Sequence, residues 1–339
     1  MLASTTLHHG RPLALCRYLP RSKCYATLPG IRRNMNNKRG KNTAVSVRDR
    51  LLALARERGE DFQLLLTQYG LERLLYRLSQ STYRDRFILK GAMLFVLWGD
   101  QPHRPTRDVD FLGVGDSSEA SLRAIFRELC DVPVEDDGLT LLADSVQVET
   151  IRDETEYGGM RVRLIGDLAG ARAPIQADVG FGDAVTPEAK EVEYPTLLIN
   201  PAPRLKAYPR ETVVAEKYQA LVQLGLVNSR MKDFYNLWVI GREFDFDGPT
   251  LSEAIRNTFS RRRTALPEHT PSGLRPKFCE DAHKTNQWTA FIRKGMLVTA
   301  PPSLMEVCLF LETFLLPPTE ALVRGDAFGA KWAPGGPWH

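Results

Sequence analysis

The chain has 339 residues, 43% hydrophobic and 25% charged, which suits a globular protein with a large core and, by length, two domains. No run of 18 apolar residues escapes interruption by charge, so no membrane-spanning helix is expected; scattered cysteines and histidines exclude a disulfide scaffold and a zinc site. The net charge of +4 hides an asymmetry, because ten Lys or Arg and no acid stand between Met1 and Arg48, leaving the remainder near −6.

Such a basic arm suits nucleic-acid binding, a transit peptide or a disordered leader. Residues 1–45 are read here as a leader, with Met35 as an alternative start. Cys16, Cys24, Cys130, Cys279 and Cys308 include no C-x-x-C pair, which fits a reducing, cytoplasmic setting.

After the arm, Ser46 is placed to cap a helix over Val47–Arg58, and Phe62–Ser79 repeats apolar residues at helical spacing. Phe87–Leu89 is a short apolar strand, Ala92–Trp98 an apolar segment opened by Gly91, and Asp108–Val114 a strand. Ser117–Cys130 has helical spacing. Strands follow at Val146–Ile151, Met160–Ile165 and Ile175–Gly180, with a turn at Gly158-Gly159 and one more strand at Tyr194–Ile199. Beyond Lys206 the texture is helical: Arg210–Leu224, Ser229–Phe244, Leu251–Thr258, Lys277–Gly295 and Ser303–Leu315. The organisation is therefore an α/β half (residues 46–205), a helical half (206–320) and a Pro- and Gly-rich tail (321–339) expected to fray.

The chemistry centres on Asp108 and Asp110. On a strand, residues two apart share a face, so both carboxylates project together about 7 Å apart while Val109 and Phe111 enter the core. Like charges so placed repel unless a cation lies between them, and Mg²⁺ suits hard carboxylate oxygens. Asp178 alternates with Ile175, Ala177 and Val179 on a strand that could neighbour the first. Three carboxylates from two strands can hold two Mg²⁺ ions and clamp the oxygens of a phosphoryl or nucleotidyl transfer. Asp183, in GFGD, reads as a turn or cap residue. Pro209 suits a helix start, with Lys217 on that helix, and Arg230, Lys232 and Asp233 head the next. Cations at such helix ends can bind a triphosphate. Arg261, Arg262 and Arg263 form a basic run that reads as a solvated helix end or as an RNA guide. There is no P-loop, no nucleophile elbow and no His-Glu-x-x-His, and Gly180-Phe181-Gly182 lacks the rest of a dinucleotide fingerprint.

Four segments in order resemble the AbiEii/AbiGii family of nucleotidyltransferase toxins: FILKGAMLFVLWG with RPTRDVDF, IQADVGFGD, YPRETVVAEKYQALVQLG and NSRMKDFYN. FSRRRT and QWTAFIRK are also similar to the family's C-terminal half, so the resemblance spans Val47–Leu316. It implies a polymerase-β-like nucleotidyltransferase domain with a helical C-terminal lobe. It further implies the toxin of a type IV toxin–antitoxin system, an AbiEi-like transcription-repressing antitoxin as partner, and NTP as co-substrate. Related toxins add nucleotides to the 3′ end of tRNA.

The resemblance casts Asp108, Asp110 and Asp178 as Mg²⁺ ligands, with Asp178 or its metal activating the acceptor hydroxyl. Lys217 and Asp233 match the family's later motif, while Lys90, the Gly91 backbone, Arg107, Lys217, Arg230 and Lys232 would neutralise the triphosphate. Two departures stand out: the usual Gly-Ser turn is Gly91-Ala92, and the fourth motif ends in Asn236 where the family often has Asp. Phosphodiester hydrolysis, nucleotidylation of a protein and an inactive binding scaffold remain alternatives from the sequence.

Overall fold

The computed structural model describes residues 39–99, 106–151 and 159–339. Most of the basic arm therefore lies outside the described residues, as do Asp100 and Gly158. The first described element, α1 (Arg39–Arg58), starts earlier than expected. Ser46 lies within it instead of capping it, because the helix extends back far enough for the Ala44 backbone to pack on Gly138. Next, α2 (Phe62–Ser79) is capped by Asp61, whose carboxylate accepts from the Leu64 N–H at 2.9 Å.

The α/β half continues with β1 (Phe87–Lys90), a 3₁₀ turn at Gly91–Met93, α3 (Leu94–Trp98), β2 (Val109–Gly113) and α4 (Glu119–Cys130). The remaining strands are β3 (Thr140–Leu141), β4 (Gln147–Ile151), β5 (Gly159–Leu168), β6 (Ala171–Phe181), β7 (Lys190–Glu193) and β8 (Arg204–Ala207). Together they build one mixed sheet in the order β3-β5-β6-β2-β1-β8-β7, with β4 also pairing β5. Pairing is parallel for β2 with β6 and for β1 with β8, and antiparallel elsewhere. The expected strand at Tyr194–Ile199 is instead the loop joining β7 to β8. Its Leu197 N–H is taken at 2.6 Å by buried Glu72 of α2, so side-chain capture replaces ladder pairing there.

Alternation sorts the two faces of the sheet. Leu89, Val109, Phe111, Ala177 and Val179 are buried on one, where Phe87 meets Phe111 and Phe126 edge to face. Helices α2 and α4 pack against the sheet. The opposite face carries Lys90, Asp110 and Asp178.

The helical half comprises α5 (Arg210–Leu224), α6 (Met231–Glu243), β9 (Phe246–Asp247), α7 (Gly248–Arg261), α8 (Pro276–Cys279), α9 (Ala282–Gly295), α10 (Leu304–Arg324) and β10 (Lys331–Trp332). The single helix expected at Lys277–Gly295 is two, because Asp281 accepts from the N–H groups of His283 and Lys284 and starts a new helix. The last helix runs on through Pro317 and Pro318. Pro318 cannot donate to the Phe314 carbonyl four residues back. The Trp338 indole N–H reaches that carbonyl at 3.0 Å.

This contact also corrects the expectation of a frayed tail. Strand β10 pairs with β9, Trp332 is buried against Phe314, and its indole donates to the Gly241 carbonyl at 2.7 Å near the end of α6. The tail docks because it supplies donors to helix carbonyls that otherwise lack them. Trp332→Ala should therefore destabilise the protein by about 3–5 kcal/mol and Trp338→Phe by about 1 kcal/mol, read as shifts of the urea midpoint at constant slope.

Candidate active site

Strand register places a row of charged residues across the sheet. Glu149 on β4 faces Arg161 on β5, Arg161 faces Asp178 on β6, Asp178 faces Asp110 on β2, and Asp110 faces Lys90 on β1. Residues directly opposite project from the same face, so all five do. Signs alternate along the row except at its centre, where Asp110 and Asp178 are neighbours. Asp108, two residues before Asp110 and just ahead of β2, adds a third acid, its Oδ1 accepting from the Thr106 hydroxyl at 2.6 Å.

The Asp110 carboxyl is pushed up to about 6 by burial, then by the charge of Asp108. It lies against Gly91, whose φ of +76° is a left-handed conformation that side chains avoid. A Cβ at position 91 would also overlap the Asp110 carboxylate, so only glycine fits. A half-buried carboxylate with a raised pKa, beside a second acid and under a turn without a side chain, fits a divalent ion held by Asp108 and Asp110. Asp178 does not complete this set: Arg161 donates to both its oxygens, Nε to Oδ1 at 2.8 Å and a terminal nitrogen to Oδ2 at 2.6 Å. Among the described residues no three metal-ligating side chains converge. The three carboxylates expected to act together are thus divided here between an Arg161 ion pair at Asp178 and the neighbouring acids Asp108 and Asp110.

Lys90 is likewise engaged. Its Nζ donates to Asp183 at 2.9 Å and lies 3.7 Å from Glu216, while Arg262 contacts the same two acids at 2.8 and 3.4 Å. Burial alone would raise the Asp183 carboxyl, but Lys90 and Arg262 outweigh it and hold it at about 2. Asp183 is thus an ion-pair partner rather than a turn residue, and Arg262 turns inward instead of solvating a helix end. Arg261 donates to the Gly182 carbonyl. Two cations and two anions from β1, the end of β6, α5 and α7 tie the sheet to the helices.

Lys217 and Asp233, from successive motifs, form an ion pair. Lys217 Nζ donates to Asp233 at 2.6 Å, and Arg230 lies 2.6 Å from the other oxygen. Burial would raise the Asp233 carboxyl, but Lys217 and Arg230 prevail and hold it below the usual range. Lys232 is exposed and near enough to act electrostatically on both Asp110 and Asp233, and Arg107 is exposed beside Asp108. Ala92 is buried in the turn after Gly91, and Asn236 is buried on α6, three residues beyond Asp233. Arg161, Glu216 and Thr106 were given no role from the sequence, and Arg262 only one within the basic run; the alternation of Arg161 with Arg163 along a strand alone hinted at the first.

Paired acids beside a side-chain-free turn suit enzymes that handle phosphate, and the class here is nucleotidyltransferase: the sequence pattern described as "Nucleotidyl transferase AbiEii toxin, Type IV TA system" matches residues 73–308. The chain belongs to the AbiEii family of nucleotidyl transferase toxins, and membership implies an NTP substrate and an antitoxin partner. Two solved structures from Helicobacter pylori are similar. A candidate nucleotidyltransferase shares 14% identity at a TM-score of 0.46, covering 79% of this chain and 100% of its own. JHP933 shares 14% at 0.44, covering 78% and 95%. No curated protein matches. Among the described residues no helix is long and apolar enough to cross a membrane.

The raised Asp110 pKa has a definite sign. The folded state retains a proton that the unfolded chain loses between about pH 4 and 6, so stability falls as pH rises through that window. Asp110→Asn should melt above wild type at pH 7.5 without divalent ions, and the difference should vanish by about pH 4. A thermal-melt series against pH in EDTA reads this directly.

Proposed function

We propose that this protein transfers a nucleotidyl group from an NTP to the 3′ end of tRNA, with Mg²⁺ held by Asp108 and Asp110, in the cytoplasm. The observation that carries this reading is the acid pair on one sheet face beneath the Gly91 turn. A bound divalent ion would offset phosphate charge and polarise the phosphoryl oxygens.

The chain's own residues position the reactants. Lys217, oriented by Asp233, presents an ammonium for the triphosphate. Arg107, Arg230 and Lys232 are exposed around the acids and supply local positive charge on a body whose net charge beyond Arg48 is near −6. Lys90 serves as an electrostatic anchor beneath the turn, since Asp183 holds its Nζ. The acceptor's 3′ oxygen attacks the α-phosphorus in line, the new ester bond forms as the bond to pyrophosphate breaks, and the hydroxyl proton passes to solvent. Modifying the tRNA 3′ end would block translation, as befits a toxin. An AbiEi-like antitoxin would be its partner.

The test incubates wild type, Asp108→Asn and Lys217→Ala with Mg²⁺, each labelled NTP in turn, and total tRNA. Label should enter RNA with the wild type and fall by about 100-fold or more in each variant. Equal labelling by Asp108→Asn, or label appearing in protein and not RNA, overturns the reading.

A further inference from the structure

Asp178 stands beside Asp110 in the parallel register of β2 and β6, about one strand spacing of 4.8 Å away. Position alone would make it the third ligand of a metal cluster. Its carboxylate instead faces β5, where Arg161 grips both oxygens in a fork at 2.8 and 2.6 Å. Such bidentate pairs are among the stronger and more directional ion pairs in proteins. Here the pair is partly withdrawn from water, with side-chain exposures of 29% for Arg161 and 17% for Asp178.

The surroundings explain why Arg161 stays there. Glu149 is its cross-strand partner on the other side, but the Glu149 carboxylate is taken by Arg163 at 2.6 Å. At the far end of the row, Lys90 is held by Asp183 and Glu216. Arg161 is therefore the cation bound to Asp178; it also acts through space on Asp108, while Lys90 and Lys232 act on Asp110.

We propose that Arg161 is a positioning residue that occupies the place of a second divalent ion, so that the nucleotide-free protein binds one ion and Asp178 is not a ligand of it. The inference rests on Asp108 and Asp110 holding that first ion. A second ion can use Asp178 only by displacing the guanidinium, and the fork on both oxygens opposes this.

The probe is Mn²⁺ without nucleotide, with free ion counted by its paramagnetic resonance signal as protein is titrated. Wild type should bind one ion per chain, Arg161→Met two, and Arg161→Met with Asp178→Asn one again. Two ions on wild type, or one on a folded Arg161→Met, overturns the proposal. No ion on wild type rejects the Asp108–Asp110 metal reading instead, a separate failure. Should Arg161→Met not fold, Asp178→Asn alone decides. It should keep the single ion at nearly unchanged affinity, whereas weakening by about tenfold or more would mean that Asp178 already ligates.

Discussion

The parallel register that sets Asp110 on β2 beside Asp178 on β6, with Asp108 close by, dominates the electrostatics of the polar face. Two carboxylates registered across parallel strands, with Asp108 alongside, concentrate negative charge where the sheet is partly shielded from water. Such a cluster persists only if cations answer it. Arg161 answers on one flank and Lys90 stands on the other, and under the proposed function a divalent cation answers Asp108 and Asp110.

The cation at one flank also joins the two halves of the molecule. Lys90 and Arg262 share Asp183 and Glu216, and those four side chains come from β1, the end of β6, α5 and α7. Partly buried charges of one sign would be costly, but two of each compensate within ion-pair distance. The helices are thereby registered against the sheet at the edge of the site. Nearby, the Lys217–Asp233 pair bridges α5 and α6. At the far end of the helical half, Trp332 and Trp338 supply indole donors to carbonyls of α6 and α10. That holds in place α6, whose other end carries Asp233.

Membership of the AbiEii toxin family and this geometry agree on the economy of the site. Nucleotidyl transfer demands positioning and charge neutralisation more than covalent chemistry. Under the proposed function the chain meets that demand with a side-chain-free turn at Gly91, an acid pair, and a lysine held by a buried aspartate. The serine usual after that glycine is replaced by buried Ala92, so any phosphate contact at the turn must come from the backbone.

Much of this was legible in the residues themselves. Period-two alternation around Val109, Phe111, Ala177 and Val179 determined which acids share a face, because strand geometry leaves no other choice. Helical spacing likewise marked α2 and α4, and Pro209 the start of α5. The pairing of Lys217 with Asp233 was foreshadowed only by the order of motifs. Tertiary structure alone decided what the charges do. Arg161 became the partner of Asp178 through the β5–β6 register, and Asp183 an anchor because α7 delivers Arg262 to it. The tail was bound by carbonyls that two prolines and a helix end left open. Local sequence dictates backbone period and facing direction, whereas an ion pair or a docked indole depends on which distant segment arrives alongside, and that is settled only when the chain packs.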